Sequence, residues 1–394
     1  MSPDLTAGFT SEAYITQAAA GPITLSRVTY GAIAADEIVI ETAATAICAT
    51  DLKAAAGKFL CGPPLILGHE SAGVVLAVGS AVHNLAPGDR VVLSYSSCGA
   101  CGECAGGAPA YCRELLALNM RGCRKDGTLA ARVSESGMPV GGHFFGQSSL
   151  GRRIVARASC AVRLPAGGDE GELRVLAALG CGIQTGAGAV FNVARPPPGS
   201  SVCIFGAGSV GLAACLAARL ASPARLVVVD NSAAKLAMLP ACVRDAATHL
   251  VDPSALAGAG GDGEFVEKLK GLTPGGRGFD FVLDCVGSGD LVRVGHLALK
   301  SRGTIIAVGG SQDMALQVPM RDHLTKGITF RGTHQGDSVP AVSIPFMIDL
   351  WRQGKFPFDQ LLTFYDFDQF HQAVQDMKDG KVIKPVLVNN NKDT

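Results

Sequence analysis

Short apolar runs rich in β-branched residues alternate with helical stretches from position 201 onward. We predict a strand at 202–205, a helix at 209–221 and a second strand at 225–230. Further strands are predicted at 279–285 and 303–309. This alternation is typical of βαβ units, in which parallel strands form a sheet with helices packed on its faces. It constrains the fold of this region more than any other feature of the sequence.

A glycine motif stands at the first strand-to-helix junction of this region. Its sequence is Gly206-Ala207-Gly208-Ser209-Val210-Gly211, which has the form GxGxxG. The first glycine permits a tight turn, the second lets the backbone approach a pyrophosphate, and the third allows close packing of helix on strand. Alone the motif often reflects helix packing, but its position after a strand favours dinucleotide binding.

An acidic residue ends the next predicted strand. Asp230 lies 24 residues after Gly206, where a carboxylate can accept hydrogen bonds from the adenosine ribose. The same charge would repel a 2′-phosphate, so the sequence predicts NAD in preference to NADP.

The N-terminal part has a different pattern of predicted secondary structure. Short strands are predicted at 37–40 and 71–77, separated by turns, which is typical of an irregular β-rich domain. The stretch 356–388 loses the βαβ pattern and is expected to fold back onto this first domain. We therefore predict a catalytic domain at 1–190 and 336–394, with a nucleotide-binding domain at 191–335 inserted in it.

Four cysteines follow the spacing C-x2-C-x2-C-x7-C within a short polar loop, which we call the four-cysteine lobe (residues 95–115). They are Cys98, Cys101, Cys104 and Cys112. Four thiolates around one zinc ion, at about 2.3 Å, leave no position open for chemistry. The spacing therefore predicts a structural zinc site. The alternatives are unrelated free cysteines or two disulfides, and disulfides fit poorly with a long chain that can bury a large core.

Composition and charge indicate which classes of molecule this chain can bind. The chain has 34 basic and 34 acidic residues and no dense basic run, which leaves little electrostatic drive toward nucleic acid or membrane surfaces. Residues 1–10 lack the basic start and apolar stretch of a secretory signal. We expect a cytoplasmic protein with a small-molecule partner.

A second candidate metal set is scattered along the chain. Cys48, His69 in Gly68-His69-Glu70, and Cys181 each have small neighbours that let a ligand approach. Two thiolates and an imidazole form a three-ligand zinc site with an open fourth position. Any one of these residues alone is better explained as a buried structural side chain, but their occurrence beside a nucleotide motif favours a catalytic metal.

Together these motifs resemble the zinc-dependent medium-chain alcohol dehydrogenases over nearly the whole length of the chain. The resemblance implies an α/β fold in which a Rossmann doubly wound parallel sheet is inserted in a β-rich, GroES-like catalytic domain. It also implies two zinc ions, NAD, and hydride transfer between an alcohol and its aldehyde, in a dimer or tetramer. The segments 143–149 and 336–340 resemble the aryl (benzyl) alcohol dehydrogenase branch.

The resemblance assigns roles near the metal. Cys48, His69 and Cys181 would hold the catalytic zinc, and Asp51 would orient the His69 ring. Glu70 resembles the acid that assists ligand exchange. Thr50 would hydrogen-bond the substrate alcohol and pass its proton outward.

The resemblance also assigns the cofactor contacts. Thr185 would lie at the nicotinamide and Lys384 at the pyrophosphate, and Val308 would also bind the cofactor. Two residues depart from the family pattern. Ala49 stands where many members carry a basic residue, and Lys53 replaces a histidine that often ends the proton relay.

Rival interpretations are a zinc-free quinone or enone reductase and a non-catalytic protein on the same scaffold. The intact ligand set argues against both. We expect an aromatic or allylic primary alcohol as substrate, with Tyr95 and Phe144 or Phe145 as apolar walls near the zinc. Both phenylalanines are equally well explained as core residues.

Overall fold

The strands form three sheets in the computed structural model, which describes residues 4–59, 61–165, 167–253, 261–310 and 318–390. The strands within these ranges are β1 Phe9–Thr16, β2 Ile23–Tyr30, β3 Glu37–Ala46, β4 Leu65–Ile66, β5 Ser71–Val78, β6 Arg90–Leu93, β7 Ala131–Val133, β8 Pro139–Val140, β9 Arg153–Arg157, β10 Ala161–Arg163, β11 Ser201–Phe205, β12 Arg225–Val229, β13 His249–Val251, β14 Phe279–Asp284, β15 Leu299–Ala307, β16 Thr329–Gly332, β17 Leu362–Asp366 and β18 Lys384–Val388.

The helices are shorter and connect these strands. The α-helices of the described residues are α1 Ala49–Ala55, α2 Gly102–Ala105, α3 Leu115–Asn119, α4 Glu170–Leu176, α5 Gly182–Gly188, α6 Ser209–Arg219, α7 Ala233–Ala237, α8 Ala241–Ala246, α9 Gly261–Gly271, α10 Gly289–Ala298, α11 Met320–Lys326, α12 Pro340–Arg352 and α13 Phe370–Lys378. Short 3₁₀ turns and one π-helical turn, Ala189–Ala194, complete the connections.

Two sheets make up the β-rich part. One has the strand order β4-β1-β2-β7-β8, and the other has the order β10-β6-β5-β3-β18-β17 with β9 paired to β3. Strand β18 pairs antiparallel with β3, with Val386 opposite Ala46. The C-terminal segment therefore returns to the sheet from which the N-terminal part is built, as the sequence predicts.

The third sheet has six parallel strands in the order β13-β12-β11-β14-β15-β16. Numbered from β11, this is the order 3-2-1-4-5-6 of a Rossmann fold. Its strands are continuous apolar runs, and all of β11 is buried, because helices cover both faces. The strand order reverses between β11 and β14, and the crevice beyond the carboxyl ends of these two strands is where such sheets bind dinucleotides.

Helices α5 and α6 join the two parts in close contact. A Cβ atom on Gly186 of α5 would lie only 2.0 Å from the backbone oxygen of Val210 in α6. Glycine at this position therefore lets the two backbones meet directly. This contact brings the residues at the start of α5, Cys181 and Thr185 among them, next to the glycine loop that begins α6.

The predicted fold class is confirmed, and the predicted strands are present with shifted ends. The helix predicted at 209–221 ends at Arg219, because Ser222 has φ +51° and the following proline cannot continue a helix. Strand β15 begins at Leu299, before the predicted start at residue 303. The domain limits stay predictions.

No single helix in the described part of the chain is both long and apolar enough to cross a membrane. One pair of helices separated by a 64° bend, Glu170–Gly180 and Gly182–Ala194, reaches the required length and composition.

Candidate active site

Four side chains from three segments meet at the edge of the β-rich part. Cys48 begins α1 directly after β3, His69 and Glu70 follow β4, and Cys181 precedes α5. One ligand atom from each of these four residues lies within 4.8 Å of the others. His69 and Glu70 are completely buried. Two sulfurs and an imidazole nitrogen at this spacing match the donor set of a three-ligand zinc site, and the structure thus brings together the three ligands predicted from the sequence.

Asp51 fixes the orientation of the His69 ring. Its Oδ1 lies 2.7 Å from His69 Nδ1 and also accepts a hydrogen bond from the Gly68 amide, while Oδ2 accepts one from the Cys48 amide. Within the described residues, no hydrogen-bond partner reaches the buried Nε2 of His69. An orphaned buried nitrogen is costly unless something binds it. The ring therefore presents Nε2 to the position where a metal would sit.

The two thiols of this cluster shift each other's pKa in opposite directions. Their mutual hydrogen bond lowers the pKa of Cys48 well below its usual value and raises the pKa of Cys181. For His69, burial opposes protonation, but the Asp51 carboxylate and the Cys48 thiolate outweigh it and raise the pKa. The lowered pKa of Cys48 favours its thiolate, which is the form in which cysteine binds a metal.

Glu70 and Lys384 form a buried ion pair beside the cluster. Lys384 Nζ lies 2.6 Å from Glu70 Oε1 and donates a second bond to the Ile47 carbonyl. Burial raises the pKa of Glu70 to about 7, against the opposing effect of the Lys384 charge. Lys384 is only 1% exposed and is not among the described residues that line the adjacent cleft. Glu70 is therefore the partner of Lys384 in this structure, and the contact of Lys384 with a pyrophosphate stays a prediction.

A cleft of about 570 Å³ separates the metal cluster from the Rossmann sheet. Its lining includes Cys48, Thr50 and Cys181 from the β-rich part, together with Thr185 and Val308. It also includes Gly208, Ser209, Val210 and Gly211 of the glycine loop. Predicted metal and cofactor residues thus line a single space.

The glycine loop has the geometry that a dinucleotide requires. Gly206 has φ +101°, and a Cβ on Gly211 would lie 1.9 Å from the Gly206 oxygen. Nothing lies within 4 Å of a Cβ built on Gly208, which begins α6 and leaves open space for an anion at the helix N-terminus. Asp230 follows β12 and accepts hydrogen bonds from the Ala207 and Ser232 amides. Its carboxylate is thereby held beside the glycine loop.

The four-cysteine lobe contains the second cluster. The sulfur of Cys104 lies 3.9 Å from that of Cys98 and 3.6 Å from that of Cys101, and the Cys101 and Cys112 sulfurs are 4.0 Å apart. Four sulfurs at about 2.3 Å from one zinc ion in tetrahedral geometry are about 3.8 Å apart. Backbone donors at Arg113 and Cys104 lower the pKa of Cys101 to about 6. The sulfur positions therefore have the spacing of a four-thiolate zinc site, and these cysteines form no disulfide.

The aromatic residues expected as substrate walls occupy other places. Phe145 stacks on the His69 ring at 4.5 Å, and Phe144 meets the same ring edge-on at 5.6 Å. The Tyr95 hydroxyl donates to the Ser338 carbonyl. All three side chains are buried, and the described lining of the cleft does not include them. The two phenylalanines pack on His69, and Tyr95 is held by Ser338, so none of the three lines the cleft.

Sequence reasoning missed three residues of the cleft wall. Lys235 follows Asp230 by five positions, and His334 and Gln335 follow the last parallel strand, β16. Gln335 Nε2 lies 3.9 Å from Cys181 Sγ, and its Oε1 accepts a bond from Thr185. Their position in the sequence could have indicated these residues, because loops that follow parallel strands line the crevice of a Rossmann sheet.

Comparison with known proteins agrees with this geometry. Residues 34–138 match the family model of the alcohol dehydrogenase GroES-like domain, and residues 209–350 match that of the zinc-binding dehydrogenases. A geraniol dehydrogenase from Castellaniella defragrans is 40% identical over 380 residues, which cover 96% of this chain and 97% of that protein.

Two solved structures are similar over nearly the full length. A benzyl alcohol dehydrogenase from Acinetobacter calcoaceticus has a TM-score of 0.87 and 34% identity, covering 96% of this chain and 99% of that one. An alcohol dehydrogenase zinc-binding domain protein from Burkholderia ambifaria has a TM-score of 0.89 and 39% identity, covering 98% of this chain and 100% of that one.

Proposed function

The chain belongs to the zinc-dependent medium-chain alcohol dehydrogenase family, and from this membership we propose that it interconverts a primary alcohol and its aldehyde with zinc and NAD. One observation carries the proposal. Cys48 and Cys181, two members of the open-sided donor set, line the same cleft as the glycine loop. A metal that activates an alcohol and a cofactor that accepts its hydride would therefore meet in one space.

Cys48, His69 and Cys181 would hold the zinc ion, and the donor set leaves one side open. When bound, zinc supplies Lewis-acid chemistry that lowers the pKa of an alcohol, and NAD⁺ accepts the hydride. Asp51 holds the His69 ring through Nδ1, so that the Nε2 lone pair faces the cluster.

The proton of the alcohol must be transferred to solvent, and the Thr50 hydroxyl can take part in this transfer. Thr50 is partly exposed on the cleft wall beside Cys48, and its hydroxyl can accept one hydrogen bond while it donates another. Lys53 is exposed on the same wall. We propose that the proton passes from the substrate hydroxyl through Thr50 toward solvent near Lys53.

Cofactor choice is the first experiment. Asp230→Ser removes the carboxylate that would bind the ribose and repel a 2′-phosphate. We expect the ratio of kcat/KM with NAD to kcat/KM with NADP to fall by about tenfold or more, since one unfavourable charge contact of about 1.4 kcal/mol has that effect. An unmodified protein that already prefers NADP would contradict the role of Asp230.

The substrate class is the second experiment. We propose an aromatic or allylic primary alcohol, because the segments 143–149 and 336–340 resemble the aryl alcohol dehydrogenase branch and because the similar proteins are named for geraniol and benzyl alcohol. A conjugated group also stabilises the aldehyde product. Burial of a ring contributes more than about 1.4 kcal/mol, so kcat/KM for benzyl alcohol should exceed that for ethanol by well over tenfold.

The same assays distinguish the rivals. Equal values for the two alcohols would contradict the aromatic preference and leave the zinc and NAD assignments standing. A protein without zinc that reduces quinones would indicate the zinc-free reductase branch. A protein that binds zinc and NAD but turns over no alcohol in a broad panel would indicate a non-catalytic role.

A further inference from the structure

The loop after β16 contains three consecutive residues in the left-handed region. Gln335, Gly336 and Asp337 have φ values of 53°, 64° and 50°. Residues other than glycine adopt this conformation at a cost and keep it only where surrounding contacts enforce it. We call this segment, which ends at Ser338, the 335–338 turn. Its contacts lie on two sides.

One side of the turn is bound by the four-cysteine lobe. The Tyr111 hydroxyl, from the lobe, donates to Asp337 Oδ1 at 2.5 Å, and His334 Nδ1 lies 3.1 Å from the Ala110 carbonyl. Asp337 also accepts bonds from the side chains of Thr333 and Arg331. The Asp337 carboxylate therefore joins the lobe to the turn.

The other side of the turn lies against α5 and the residues that follow it. The Asn192 side chain donates to the Gly336 carbonyl at 2.9 Å, and a Cβ on Gly336 would lie 2.5 Å from the Thr185 oxygen. Next to this contact, the Gln335 amide reaches both Thr185 and Cys181. One side chain thus touches a metal ligand and a residue of the cofactor cleft.

We propose that the four-cysteine lobe positions Gln335 in the cofactor cleft through the Tyr111 and Asp337 hydrogen bond. Tyr111 and Asp337 are positioning residues, and Gln335 holds the Thr185 hydroxyl beside Cys181. The lobe then does more than stabilise its own loop, because it sets the geometry of the cleft wall that meets the nicotinamide. This inference rests on the proposed use of NAD.

The experiment compares Tyr111→Phe, Asp337→Asn and the double variant. Tyr111→Phe removes the donor of this hydrogen bond, and Asp337→Asn removes the negative charge that strengthens it. Both leave every cysteine in place. A matched control is Tyr365→Phe, which removes a tyrosine hydroxyl bonded to a different carboxylate, that of Asp376, at 3.0 Å. The readouts are the dissociation constant for NADH by fluorescence, zinc content, and the kinetic isotope effect on kcat with α-deuterated benzyl alcohol.

We expect both single variants to keep the zinc content of the wild type and to weaken NADH binding by about fivefold to tenfold, roughly the effect of losing one charge-assisted hydrogen bond. The isotope effect should rise, because a misplaced nicotinamide slows hydride transfer. The double variant should match Asp337→Asn, since the two residues act through one contact. Tyr365→Phe should match the wild type.

Gln335→Leu completes the test. It should weaken NADH binding to the same extent, and adding Tyr111→Phe to it should have no further effect. The proposal would be overturned if the NADH dissociation constants of the single variants lay within twofold of that of the control. It would also be overturned if the effects of Tyr111→Phe and Asp337→Asn on this constant multiplied in their double variant. Loss of zinc from Tyr111→Phe would overturn it as well, by assigning Tyr111 to the stability of the lobe alone. Failure of the wild type to bind NADH would instead contradict the proposed function.

Discussion

The four-cysteine lobe takes all four of its sulfurs from one short loop, whereas the Cys48 cluster takes its ligands from three segments far apart in sequence. Three of the lobe cysteines are only partly buried. In the Cys48 cluster the two cysteines are also partly buried, but His69 and Glu70 have no exposed surface at all. A locally encoded site can thus form at the surface, while a site assembled by the fold forms where sheets and helices meet.

The two clusters also differ in whether they leave a coordination position free on a bound metal. The lobe presents four equivalent sulfurs, which satisfy a tetrahedral ion completely. The Cys48 cluster presents two sulfurs, the orphaned His69 Nε2 and a cleft on its remaining side. This difference predicts that one metal supports folding and the other supports chemistry, and substitutions in the two clusters should separate these effects.

The largest expected effect is on turnover. Cys48→Ser removes a thiolate from the open cluster, and loss of the metal should cost several kcal/mol of transition-state stabilisation, or at least about a thousandfold in kcat/KM. The fold should persist with one zinc ion per chain. Circular dichroism, metal analysis and an alcohol assay check this. Cys123→Ser is a matched control, since Cys123 is a half-buried cysteine outside both clusters. One zinc ion in the wild type would contradict the two-site model.

The corresponding change in the lobe should act on stability. Binding free energy at a structural zinc site is also folding free energy, so Cys101→Ser should lower the free energy of unfolding by several kcal/mol. For a chain of this size each kcal/mol corresponds to about 2–4 °C or less in Tm. We expect calorimetry to show a Tm lower by roughly 5–10 °C. An unchanged Tm with full loss of turnover would reverse the assignment of the two sites.

We expect a smaller effect on turnover from Asp51→Asn, because this substitution leaves all the proposed metal-binding atoms in place. The amide keeps the shape of the carboxylate but cannot accept all three of its hydrogen bonds, from His69, Gly68 and Cys48. Loss of such an orienting partner typically lowers metal affinity or activity about 10-fold to 100-fold. Zinc titration and kcat/KM measure it. Asp89→Asn removes a carboxylate that caps the Ala86 amide and pairs with Arg163 outside both clusters, and it should change neither quantity.

The sequence predicted whatever depends on local spacing. The four cysteines, the glycine motif and Asp230 are contiguous or lie at fixed offsets within one βαβ unit, so their mutual positions follow from strand and helix geometry. The open metal set could be predicted only from its small neighbours, the accompanying nucleotide motif and the family resemblance, since nothing in the spacing of Cys48 and Cys181 implies contact.

Contacts between distant segments could not be predicted in this way. Lys384 has a buried carboxylate as its partner, which depends on how β18 pairs with β3. Phe144 and Phe145 pack on His69 because the 3₁₀ turn that carries them includes a left-handed residue, Phe145 at φ 52°. Gln335 reaches the metal set through three left-handed residues, a conformation that its sequence does not indicate.

The buried pair of Glu70 and Lys384 has a consequence for biosynthesis. As the chain emerges from the ribosome, the lobe cysteines are available to zinc long before the strand Lys384–Val388 has been made. Until that strand arrives, Glu70 lacks its cation and β3 lacks one neighbour. We expect nascent chains to acquire the lobe metal first and to complete the Cys48 centre only after release, which zinc analysis of chains truncated before Lys384 would check.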